Sequence, residues 1–94
     1  MLVAIHGIDH PDSAARRQAE RPAHLARIQL LADAGRIALA GPLRDTPEGA
    51  PVGSLIIGEF DSLEAARAWA ESDPYWTGGV FARIDVRHFT RVLP

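Results

Sequence analysis

The 94-residue chain carries a net charge of −2 at neutral pH and is 47% hydrophobic and 23% charged. These values are typical of one globular domain, and we expect a single domain over residues 1–94. The ten arginines are scattered along the chain, so no basic patch for nucleic acid is predicted.

The amino-terminal residues do not form a secretory leader, and no run of about 18 apolar residues occurs. We therefore expect a cytoplasmic protein that does not associate with membranes.

The residue types that are missing narrow the chemistry. The chain has no Cys, Lys or Asn, which removes thiol nucleophiles, Schiff bases and thiolate metal sites. Neither the dinucleotide fingerprint nor the P-loop motif is present. No cofactor and no metal are predicted, and His, carboxylate, Ser, Thr and Tyr side chains remain for proton transfer.

The first half of the chain predicts a strand, helical segments and a second strand. Residues 2–8 are short and mostly apolar, which indicates a buried strand. Residues 13–20 predict a short helical turn that Pro22 interrupts, and Pro22 fits the first position of the next helix. Apolar residues recur there at helical spacing until Gly35 provides a stop.

Residues 37–40 predict a short strand that Gly41-Pro42 closes, followed by a polar loop over residues 44–53. Because loops often carry function, this segment is a candidate functional loop.

The second half begins with a strand over residues 54–60. Asp61 and Glu64 have the spacing of a capping box, which predicts the start of a second helix. Asp73 precedes Pro74, which places the end of that helix at about Ser72.

Residues 81–89 alternate between charged and apolar side chains. Arg83, Asp85 and Arg87 share one side, and Ala82, Ile84 and Val86 share the other, which predicts a strand with one solvated face.

The order β-α-β-β-α-β is typical of the ferredoxin-like α+β fold, a four-stranded antiparallel sheet with two helices on one face. The second face of such a sheet needs a cover. A second copy of the chain, packed sheet to sheet, is the simplest one, so we predict a homodimer that forms an α/β barrel.

His24 is a candidate general base, since histidine titrates near neutral pH. Asp33 cannot orient it, because nine helical residues turn roughly 900° and rise about 13 Å, which puts Asp33 on the opposite face. Asp73 is better placed, since it follows the second helix and the two helices lie side by side. Ser54 and Tyr75 are candidates for the same pocket.

Simpler interpretations of these residues stay open. His24 could lie in a first helical turn and bond only to solvent, and Asp73 could only terminate a helix. His6 and His10 do not form a closed ligand set with nearby carboxylates, so they do not predict a metal site.

Several segments occur in an order and spacing that resemble the YciI-like (YCII-related) family over essentially the whole chain. They are R-P-A-H-L-A-R-I-Q-L-L-A-D-A-G-R from Arg21, A-G-P-L from Ala40, G-S-L-I-I-G-E-F from Gly53, S-L-E-A-A-R-A-W-A from Ser62 and D-P-Y from Asp73. The resemblance implies a dimeric ferredoxin-like fold with a pocket around a His–Asp pair, at His24 and Asp73. One type of relative removes chloride from chlorinated hydroxyquinols.

The leading hypothesis is a metal-free enzyme that moves protons on a compact small molecule, as in isomerisation or elimination. Asp73 would orient His24, which abstracts the proton. Ser54, Tyr75 or a backbone N–H near Gly41 would stabilise an oxyanion, and Arg21 would recognise an anionic group. The alternatives are a binding or regulatory module that holds a ligand without converting it, and a purely structural dimerisation domain.

Overall fold

Four strands and three helices form the fold in a computed structural model that describes residues 1–94. In chain order they are β1 (Leu2–Asp9), α1 (Ala14–Asp33), β2 (Ile37–Arg44), β3 (Pro51–Glu59), α2 (Leu63–Glu71), α3 (Pro74–Thr77) and β4 (Phe81–His88). The sheet order is β2-β3-β1-β4, and every neighbouring pair is antiparallel. The predicted ferredoxin-like fold is confirmed.

The core lies between the sheet and the helices. Val3 and Ile5 of β1 point to this side together with Ile56 of β3, which lies opposite Ile5. The helices contribute Leu31, Ala66 and other buried apolar residues to the same cluster. The site described below is built on this helix-covered face of the sheet.

Helix α1 differs from its prediction because it runs without a break through Pro22. Proline removes one hydrogen bond, the one that the carbonyl of Gln18 would accept. Pro22 and Gln18 are both exposed, so water can bond to that carbonyl. The predicted separate turn and new helix are therefore one helix of 20 residues.

The predicted stop at Gly35 is found. Its φ is 72°, a left-handed conformation that glycine adopts at little cost. The N–H of Gly35 donates to the carbonyl of Ala32, and the N–H of Arg36 donates to that of Leu31. These two bonds are those of a Schellman motif, which ends the helix.

Strand β2 is longer than predicted and continues through Gly41-Pro42 to Arg44. It is an edge strand, where a proline can direct its missing N–H toward solvent. The connection to β3 shortens accordingly to residues 45–50, since β3 already begins at Pro51.

Helix α2 begins one residue later than the capping-box spacing of Asp61 and Glu64 predicts. Ser62, not Asp61, is the N-cap, and its Oγ accepts a hydrogen bond from the N–H of Ala65 at 3.0 Å. A further short helix, α3, was not predicted at all. Asp73 is its N-cap, and Pro74 occupies its first turn.

Strand β4 departs from strict alternation at its start. Its register against β1 shifts between Ile8 and Asp9, so Phe81 is buried and Ala82 is exposed. Ile84 lies in the core as predicted. No helix has both the length and the apolar composition needed to cross a membrane.

Candidate active site

A buried histidine and a buried aspartate meet between α1 and the start of α3. Nδ1 of His24 lies 2.7 Å from Oδ2 of Asp73, and both side chains are more than nine-tenths buried. The sequence brings them together because His24 lies in the middle of α1, while the Asp-Pro step ends α2 and begins α3. The structure thus brings these two candidate residues into contact.

Asp73 is held as an ionised carboxylate. Its Oδ2 also accepts a hydrogen bond from the N–H of Tyr75 at 2.8 Å, and its Oδ1 accepts one from Nη1 of Arg27 at 2.9 Å. Burial by itself raises the pKa of Asp73, but the hydrogen bond and charge of His24, with the bonds from Tyr75 and Arg27, outweigh burial and lower the pKa.

The ionised Asp73 fixes the tautomer of a neutral His24. A carboxylate only accepts hydrogen bonds, so Nδ1 carries the proton and Nε2 has a free lone pair. No protein group bonds to Nε2. Every side-chain nitrogen or oxygen that is fully buried has a hydrogen-bond partner, so Nε2 is not fully buried. Since His24 lines a cavity, Nε2 is open to that cavity.

Tyr75 supports the imidazole from one side. The two rings are stacked with centroids 3.7 Å apart and planes 7° from parallel. Phe81 contacts the Tyr75 ring edge-on at 5.6 Å. Burial raises the pKa of the Tyr75 phenol, although the charges of Arg17 and Arg21 oppose that effect, so the phenol stays neutral.

The cavity beside His24 has a volume of about 360 Å³ and lies between α1 and strands β2 and β3. Besides His24, its lining includes four of the residues that the sequence singled out, Ser54, Tyr75, Arg21 and Gly41. Asp73 does not line the cavity and lies behind His24. The candidate residues thus divide into a cavity wall and a supporting carboxylate.

Ser54 presents a hydroxyl whose orientation is restricted. Nη2 of Arg17 donates to its Oγ at 2.8 Å and also to the carbonyl of Gly53 at 2.8 Å. Nε of Arg17 is paired with Asp9 at 2.7 Å. Ser54 makes no hydrogen bond as a donor within the protein, so its O–H is available to a group in the cavity.

The sequence analysis did not identify two arginines of the site, Arg17 and Arg27. Residues Arg17, Arg21, His24 and Ile28 follow one another at helical spacing and all line the cavity. That spacing is visible only in a helix that continues through Pro22. Arg27 lies three residues after His24, a spacing that lets both side chains reach Asp73.

The fold and the site together define a small ferredoxin-like protein with a buried His–Asp pair beside a cavity. The model of the YCII-related domain matches residues 1–90, and the chain belongs to this family. It is 46% identical to Protein YciI of Escherichia coli O6:H1 and 36% identical to an uncharacterized protein of Haemophilus influenzae. Both alignments cover 99% of this chain and 100% of the relative.

Among solved structures, the chain is similar to 5-chloro-2-hydroxyhydroquinone dehydrochlorinase from Burkholderia phenoliruptrix AC1100. The two share 30% identity with a TM-score of 0.85, over 96% of this chain and 94% of the other. That structure is a complex with 2,5-dihydroxybenzoquinone. The likeness confirms the fold and shows that one relative is a small-molecule enzyme.

Proposed function

We propose that this protein is a small-molecule enzyme in which His24, oriented by Asp73, transfers a proton on a compact cyclic compound. The 2.7 Å contact between Nδ1 of His24 and Asp73, with Nε2 open to the cavity, carries the proposal. A base needs a free lone pair within reach of the ligand and a partner that stabilises its protonated form. His24 has both.

The reaction starts when Nε2 of His24 removes a proton from a C–H or O–H group of the ligand. The resulting imidazolium is stabilised by the carboxylate of Asp73, and the negative charge passes to an oxygen of the ligand. The Ser54 hydroxyl donates a hydrogen bond to that oxygen. Return of the proton to another atom completes an isomerisation, whereas departure of an anionic leaving group, followed by loss of the imidazolium proton to solvent, completes an elimination.

Two observations support a ring compound as the substrate. A volume of about 360 Å³ falls at the lower end of small-molecule sites, which span about 300–1,000 Å³. The dehydrochlorinase that is 30% identical to this chain binds a dihydroxybenzoquinone. The elimination of hydrogen chloride that its name describes fits the same proton transfer.

We also propose that the protein acts as a homodimer that pairs the two uncovered sheet faces. Apolar residues occupy this face on three strands, and they include Ala4 and Ile8 of β1, Leu39 of β2 and Leu55 of β3. Leu39 is 51% exposed in the single chain, so this face presents a large apolar side chain to water unless another surface covers it.

The test is a turnover assay on a panel of hydroxylated and chlorinated quinols and of lactones. For a compound that the wild type converts, His24→Gln and Asp73→Asn should lower kcat by about 100-fold or more while the circular dichroism spectrum is retained. Arg67→Gln, an exposed substitution on α2, is the matched control and should keep full activity.

Two results would refute the enzyme proposal. If His24→Gln converts the compound as fast as the wild type, His24 is not the base. If compounds bind the wild type but none is converted, the protein is a binding or regulatory module.

A further inference from the structure

The charges around the cavity are unbalanced. Three arginines line it, Arg17, Arg21 and Arg44, and no carboxylate does. The charge of Arg17 is compensated by Asp9, whose carboxylate lies 2.7 Å from Nε. Arg21 and Arg44 have no such partner, because neither makes a side-chain hydrogen bond or an ion pair in this structure.

The two unpaired arginines belong to different walls of the cavity. Arg21 lies on α1, one turn before His24, and Arg44 lies at the end of β2. Nearer the floor, Oγ of Ser54 accepts from Arg17 and Nδ1 of His24 bonds to Asp73, which leaves only the Ser54 O–H and Nε2 of His24 to a ligand. The free donors with a full charge are therefore those of Arg21 and Arg44.

The charge of Arg21 also acts at the floor of the site. Burial raises the pKa of the Tyr75 phenol, and Arg21 is close enough for its charge to oppose that rise. A negative charge on a ligand stacked near Tyr75 and His24 would experience the same favourable field. The charge of Arg21 thus favours an anion in the cavity and opposes the cost of burying that anion.

From these observations we infer that the substrate of the proposed enzyme is an anionic ring compound whose charged oxygen atoms are bound by Arg21 and Arg44. The inference rests on the proposed function for the identity of the site. Guanidinium groups form two parallel hydrogen bonds with carboxylate-like oxygens, which suits quinone enolates and ring carboxylates. Neutral phenols gain much less from the same groups.

The experiment measures dissociation constants by titration calorimetry with a matched pair of probes. The first probe is 2,5-dihydroxybenzoquinone, whose acidic hydroxyls are ionised at neutral pH, and the second is hydroquinone, which is neutral. Arg21→Gln and Arg44→Gln should each weaken binding of the anion about ten-fold, and the double variant about 100-fold. Arg67→Gln is the control and should bind as the wild type does.

Salt gives an independent check, because about 1 M salt shortens the screening length to about 3 Å. It should weaken binding of the anion and leave binding of hydroquinone nearly unchanged. Arg21 and Arg44 are exposed and make no bonds within the protein, so their variants are expected to fold normally.

The inference is overturned if the wild type does not bind the anion, if it binds hydroquinone as tightly, or if both arginine variants bind the anion as the wild type does. A different result would refute the proposed function and leave this inference intact. If the anion binds in an arginine-dependent manner but His24→Gln leaves turnover unchanged, the anion site stands and the role of His24 falls.

Discussion

Asp73 links local structure to the chemistry of the site. One carboxylate caps α3 through the N–H of Tyr75, pairs with Arg27 and holds His24. A change at this residue therefore affects both the stability of the fold and the orientation of the imidazole. The two effects can be separated by their dependence on pH.

The lowered pKa of Asp73 predicts how stability varies with pH. A carboxyl group whose pKa is lower in the folded state stabilises the protein above its unfolded pKa, about 3.9, and this contribution is lost as pH falls through the folded pKa. Asp73→Asn should lower the free energy of unfolding by about 2 kcal/mol at neutral pH. The difference from the wild type should shrink below about pH 4.

Urea unfolding of both proteins at neutral and acidic pH measures this difference. Asp33→Asn is the matched control, because Asp33 is exposed and accepts one hydrogen bond from Gln29. It should change stability by less than about 0.5 kcal/mol. A gap between wild type and Asp73→Asn that is equally large at both pH values would contradict the role of the ionised carboxylate.

At the level of helices and strands, the sequence predicted the order of the main elements because hydrophobic periodicity reflects burial. The short apolar run of β1 and the glycine at the end of α1 are local signals, and both predictions are confirmed. Pro22 misled the prediction, since its cost depends on whether the freed carbonyl reaches water. The position of Pro42 on an edge strand likewise follows from sheet order, which is a property of the whole fold.

Residues of the site could be predicted where they recur at helical spacing or lie in segments that resemble the family. His24 and Asp73 are 49 residues apart in sequence, and their contact depends on how α1 packs beside α2 and α3. Arg17 was missed because its segment was assigned to a separate helical turn. Its bonds to Asp9 and Ser54 join three elements, and no single stretch of sequence displays them.

For the whole molecule, the main open question is what covers the face of the sheet that the helices leave exposed. Leu39 lies opposite Ile57, and Ala4 lies opposite the same residue from the other side, so apolar side chains form a continuous row across three strands. Burying this row against a second copy would remove it from water, which is the main source of dimer stability.

Sedimentation velocity at micromolar concentration tests the proposed dimer. The wild type should sediment as a dimer, and Leu39→Arg should shift it toward monomer by placing a charge in the interface. Leu30→Arg is the control, because Leu30 is 71% exposed on the outer surface of α1. A wild type that is monomeric, or a Leu39→Arg variant that dimerises as strongly, would rule out this interface.

The proposed proton transfer requires that Asp73 keep the proton of a neutral His24 on Nδ1 and leave the Nε2 lone pair open to the cavity. Nitrogen NMR of the His24 ring, recorded at alkaline pH, measures this tautomer directly. We predict a protonated Nδ1 and an unprotonated Nε2 in the wild type, and loss of that preference in Asp73→Asn. A wild-type His24 that carries its proton on Nε2 would rule out His24 as the base that Asp73 orients.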